Sequence, residues 1–165
     1  MPPTGHNLRG FTLIELVLVL SIIALCAAIA VPSLGGFTRG RALPNAAASL
    51  VGTTRWCRVK AISEGLAYRL NFDAHAGKWW VTKDDGTTGL NFVPVDDELA
   101  REFTLAEGIV LTANIAPIEN ATYITFDPAG RSDVTAIRLQ SGDNYIDIAN
   151  DTPLGTYHVV IGGRQ

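Results

Sequence analysis

One carboxylate stands where carboxylates are costly. Glu15 lies near the start of the run Phe11–Val31, FTLIELVLVLSIIALCAAIAV, 21 residues with no other charge. At about 1.5 Å per residue the run spans roughly 31 Å, the thickness of a bilayer core. A charge at the centre of such a span costs about 2.5–3.5 kcal/mol, and less near its ends. Glu15 therefore needs either a snorkelling route to the interface or a cation. The polar segment His6-Asn7-Leu8-Arg9-Gly10 precedes the run. A cut after Gly10 would turn the Phe11 α-amino group into a cation one helical turn from Glu15. No other position in the run offers that geometry.

The remaining candidates for chemistry are sparse. There is no H-E-x-x-H, no G-x-S-x-G and no phosphate loop. His6, His75 and His158 are scattered and read as surface or edge residues. Cys26 and Cys57 lie far apart, and neither has a second Cys or His at ligand spacing. Asp96-Asp97-Glu98 is a compact acidic cluster of the kind that binds calcium, but a solvated loop or helix start is the commoner use. Arg131, Arg138 and Arg164 are cations that would bind nucleic-acid phosphates if the fold gathered them. These residues predict no enzyme, no cofactor and no metal.

These side chains need a scaffold, and the apolar pattern supplies one. Pro32 follows the apolar run and is expected to kink or break the helix, with Ser33-Leu34-Gly35-Gly36 adding flexible residues. Helical character is expected again from about Phe37. Leu43, Ala47, Leu50, Thr54, Cys57 and Ala61 recur at spacings of four and three, a narrow stripe expected to pack on the chain's own sheet. Pro44 is expected to bend this helix, and Glu64-Gly65 to end it.

From Leu66 the period becomes two. Leu66, Tyr68, Leu70 and Phe72 alternate with polar neighbours, Ala74–Gly77 turns, and Lys78–Lys83 returns. Trp79 and Trp80 must face opposite ways. Residues 84–102 read as a loop with a helical turn at Asp96–Arg101. Strands are predicted near 108–114, 122–127, 134–140, 145–149 and 156–161, separated by turns such as Asp127-Pro128-Ala129-Gly130. The predicted fold is α+β: a long N-terminal transmembrane-plus-stem helix on an antiparallel sheet head. Residues 33–64 carry five cations against Glu64 alone, and residues 65–165 carry seven Lys/Arg against fourteen Asp/Glu. A basic stem and an acidic head suit either subunit complementarity or two plainly solvated surfaces.

The stretch Arg9-Gly10-Phe11-Thr12-Leu13-Ile14-Glu15-Leu16 resembles the type III signal of type IV pilins and type II secretion pseudopilins. The resemblance implies a leader 1–10 removed by prepilin peptidase after Gly10, N-methylation of Phe11, and a Glu15 that neutralises the Phe11 amine of a neighbouring subunit. It implies an assembly helix 11–32, a stem 33–64 and a periplasmic head 65–165, anchored among inner-membrane lipids before joining other pilins in a filament. Phe126-Asp127-Pro128-Ala129-Gly130-Arg131 and the ending Val159-Val160-Ile161-Gly162-Gly163-Arg164 resemble the head of the GspH/FimT branch. Pro32 stands where many pilins have a kink-forming proline, which favours a minor pilin of the pilus type. Some FimT-type minor pilins take up DNA through basic tails, so DNA is a second implied partner, through Arg131, Arg138 and Arg164. Two rival readings of the segment are cleavage by ordinary signal peptidase after Ala30, at Ala28-Ile29-Ala30, and a lipoprotein box at Ile23-Ala24-Leu25-Cys26.

Overall fold

The computed structural model describes the backbone of residues 12–87, 91–115 and 122–164, and the side chains there except at 29–39, 161, 162 and 164. Two compact units divide the chain, Met1–Gly40 and Arg41–Gln165. The leader, including Gly10, and Phe11 lie outside the described residues.

Helix α1 covers Leu13–Glu64. Neither Pro32 nor Pro44 ends it, and Ser33–Gly36 is helical, contrary to the expected break. A proline removes one intrahelical hydrogen bond, and a helix of 52 residues retains enough of the others to continue past it. The helix stops where expected. Gly65 takes φ +68, a left-handed conformation that glycine adopts without strain, and its N–H donates to Ala61 O at 3.0 Å.

Among the described residues nine strands follow: β1 (Tyr68–Asp73), β2 (Lys78–Asp84), β3 (Phe92–Pro94), β4 (Phe103–Thr104), β5 (Val110–Ala113), β6 (Thr122–Phe126), β7 (Ala136–Ser141), β8 (Asn144–Ala149) and β9 (His158–Arg164). They form two antiparallel sheets rather than one. The first has order β3-β2-β1-β6, with β4 also on β2; the second has order β5-β7-β8-β9. Strand β3 falls in the segment 84–102 expected to be loop, and β4 lies just after it. Strands of two or three residues are too short to show a period. The 3-10 turn Glu98–Ala100 falls inside the expected helical turn, with Asp97 capping it through Leu99 N.

The core of the second unit joins the helix to both sheets. The stripe Leu43, Ala47, Leu50, Thr54, Cys57 and Ala61 is buried in full. It meets Tyr68, Leu70, Phe72, Trp79, Val81, Ile124 and Phe126 of the first sheet, and Leu111, Ile137, Leu139 and Ile148 of the second. Burial raises the pKa of the Cys57 thiol. Trp79 is buried, stacked on Phe103 at 4.2 Å, while Trp80 is half-buried on the other face of β2.

Polar pins fix the helix to the head. Arg58 donates to Leu154 O at 2.8 Å and to Ser132 Oγ at 2.9 Å. Ser132 Oγ also accepts from Asn150 Nδ2 at 3.0 Å. The turn after β6 closes as its sequence suggests. Asp127 Oδ1 accepts from Arg131 N at 2.8 Å, and Gly130 takes φ +77 beneath Ile62.

Candidate assembly site

The first turn of α1 is built by Thr12. Its Oγ1 accepts from Glu15 N at 3.3 Å, and its carbonyl accepts from Glu15 N and Leu16 N at 3.1 and 3.2 Å. Thr12-Leu13-Ile14-Glu15 is thus one half of a capping box, a T-x-x-E signal that was available in the sequence. Glu15 sits in that first turn, where the free N–H groups give the helix end its partial positive charge and stabilise an anion.

Around Glu15 the helix is apolar on every side. Leu13, Ile14, Leu16–Leu20, Ile22, Ile23 and Leu25 are all solvent-facing, from 41% at Val19 to 81% at Leu13. A helix that is hydrophobic all round needs lipid or other helices as its surroundings. Cys26 lies in the same exposed stretch. Among the described residues no helix is long and apolar enough to cross a membrane. The described side chains cover residues 12–28 of the run and omit both its ends.

Of the three candidate phosphate-binding cations, Arg138 already holds an acid of its own sheet. Arg138 on β7 is engaged by Asp147 on β8: Nε and Nη2 each reach a carboxylate oxygen at 2.7 Å, and the ring of Tyr145 packs 4.5 Å from the guanidinium. The pair lowers the pKa of Asp147 and raises that of Arg138. Arg131 is exposed in the turn after β6. Arg164 stands opposite Asn144 on β9, three ladder positions and two strands from Arg138, about 14 Å at the backbone. His75 and His158 are exposed; Nε2 of His158 lies 3.9 Å from Asp151. Among the described residues no group of three or more His, Cys, Asp or Glu is placed to hold a metal ion.

A long N-terminal helix on antiparallel sheets, opened by a capped turn with one acid in an apolar run, is a pilin-like α+β architecture. It matches the minor pseudopilin EpsH of the Vibrio cholerae type 2 secretion system (TM-score 0.59, 15% identity, 72% of this chain and 95% of that one). It also matches the type IV minor pilin FimU of Pseudomonas aeruginosa (TM-score 0.55, 15% identity, 76% of this chain and 92% of that one). The prokaryotic N-terminal methylation motif covers residues 6–31, and the family of type II transport protein GspH covers residues 46–160. The chain belongs to the GspH family. A relative in Xanthomonas campestris pv. campestris, type II secretion system protein H, is 32% identical over 78 residues, 47% of this chain. The match spans 46% of that relative, about half its length.

Sequence reasoning placed Glu15 in an apolar helical run and a turn at Asp127-Pro128-Ala129-Gly130. It missed Thr12 as the cap and the ion pair that occupies Arg138. The first carried a recognisable spacing. The second depends on the register of β7 against β8, which no local pattern reveals.

Proposed function

We propose that the chain is a minor pseudopilin or minor pilin, a non-enzymatic subunit that assembles with other pilin-type subunits into a type II secretion pseudopilus or a type IV pilus. In this reading residues 1–10 are a leader that prepilin peptidase removes after Gly10, and Phe11 is the N-methylated new terminus. Residues 11–32 serve as the assembly helix held in the inner membrane, 33–64 as the stem, and 65–165 as the periplasmic head. The observation that carries the reading is the stretch 13–25, apolar on all sides, with a single acid in its capped first turn. Glu15 neutralises the Phe11 ammonium of a neighbouring subunit, which makes both charges tolerable in an apolar filament core. DNA is not favoured as a partner, because Arg138 already holds a carboxylate and phosphate affinity grows with the number of free cations.

The test is the intact mass and N-terminal residue of the chain recovered from membranes and from sheared filaments. The wild-type chain is expected to begin at Phe11 with one added methyl group in both fractions. Glu15→Leu is expected to show the same mass in membranes and to be missing from filaments. A chain beginning at Val31 would mean release by ordinary signal peptidase and would overturn the proposal.

A further inference from the structure

On β1, β2 and β7 the lysines and arginines follow one rule, with one exception. Lys78 holds Glu102 at 2.9 Å, Lys83 holds Glu64 at 3.1 Å and Arg138 holds Asp147 at 2.7 Å. Arg69, the second residue of β1, has rings instead. Its guanidinium carbon lies 3.6 Å from the centroid of Phe92 on β3 and 4.3 Å from that of Tyr123 on β6. Rings satisfy only the faces of a guanidinium, whose N–H donors lie in its plane. Among the described residues Arg69 Nε is the buried side-chain polar atom left with no hydrogen-bond partner. A buried donor without an acceptor is costly and needs a reason.

Among the described residues no acid forms an ion pair with Arg69. Asp133 Oδ2 accepts from the N–H of Thr125, which pairs with Arg69 across the ladder. Asp84 Oδ1 accepts from Gly86 N. Around Arg69, on the face of the first sheet turned away from the core, stand Asn71, Trp80, Phe92 and Tyr123, all partly exposed. Arg with Tyr and Trp is the composition of interface anchors, and the stacked rings hold the guanidinium in place before a partner arrives.

We infer that this outer face docks another pilin-type subunit, and that Arg69 receives a carboxylate of that subunit at its in-plane donors. Charge complementarity selects the partner chemistry: a planar fork favours a carboxylate taken bidentately. The inference rests on the assembly reading above and adds to it a surface and an anchor.

The test places p-benzoylphenylalanine at Trp80 in the full chain, irradiates cells that assemble the filament, and locates the adduct by mass spectrometry. The adduct is expected on a pilin-type subunit, within a few residues of an Asp or Glu. Arg69→Glu is expected to lower its yield at least about tenfold, as loss of a central charged contact does. Arg69→Lys should retain part of the yield, and an acid→Arg change at the mapped position should restore it in the Glu variant. Arg69→Gln, close in length and neutral, replaces the Glu variant if that chain does not fold. Undiminished yield in either variant overturns the inference, as do adducts only to lipid or nucleic acid. So does a chain that co-isolates with filaments but gives no adduct, which leaves the assembly reading intact. A wild-type chain absent from filaments sinks both.

Discussion

Glu64 shows how one side chain closes the helix onto the sheet. Its Oε2 accepts from Tyr68 Oη at 2.8 Å and from Lys83 Nζ at 3.1 Å, and its Oε1 accepts from Lys60 Nζ at 3.2 Å. The Tyr68 hydrogen bond, then that of Lys83, brings its pKa from the ordinary 4.5 down to about 2. A depressed carboxylate pKa stabilises the fold fully above the unfolded value and loses that contribution as pH falls through the folded one. The wild-type head should therefore lose melting temperature between about pH 5 and pH 2 more steeply than Glu64→Gln. At pH 7 the substitution should cost about 1 kcal/mol, a figure reduced for solvent screening. Thermal melts of both chains across that range check it. Parallel pH curves would mean that the carboxylate's charge is not what holds the helix end.

At the scale of elements, α1 carries two faces. The buried stripe is apolar but for Thr54, while Gly52 lies on the exposed face. A Cβ built there meets no atom within 4 Å. Gly52→Ala should therefore stabilise the head by about 0.5–1 kcal/mol through helix propensity and a less flexible unfolded chain. That is a rise of about 2–6 °C in a thermal melt. A fall instead would mean that the helix is strained at this position. The buried stripe was legible because a helix repeats its face every three to four residues, so Leu43 to Ala61 announced themselves. The strands from β5 onward were legible to within a few residues, because alternation and Gly/Asp/Asn turns bracket them. What could not be read was pairing. Nothing in Leu66–Phe72 or Ala136–Ser141 tells that the strands divide into two sheets, and β3 and β4 are too short for any period. The site divides in the same way. Glu15 was legible as a charge in an apolar run. The isolation of Arg69 was not, because Phe92 and Tyr123 reach it from strands far along the chain.

The whole molecule joins two units with opposite needs. All the buried apolar residues described, from Leu43 to Tyr157, belong to Arg41–Gln165, so that unit carries its own core and its own polar pins. The described apolar residues from Leu13 to Leu25 are exposed. A chain restricted to residues 41–165 should then stay soluble without detergent and melt in one cooperative transition, as a domain with a complete core does. The full chain should require micelles, because its exposed helix has no partner in water. Sedimentation and a thermal melt of the two chains, side by side, decide it. A 41–165 chain that melts without cooperativity would mean that the head draws stability from the N-terminal unit. Cooperative melting would mean that the buried stripe Leu43 to Ala61 and the two sheets suffice to fold the head, with the N-terminal unit contributing nothing to its stability.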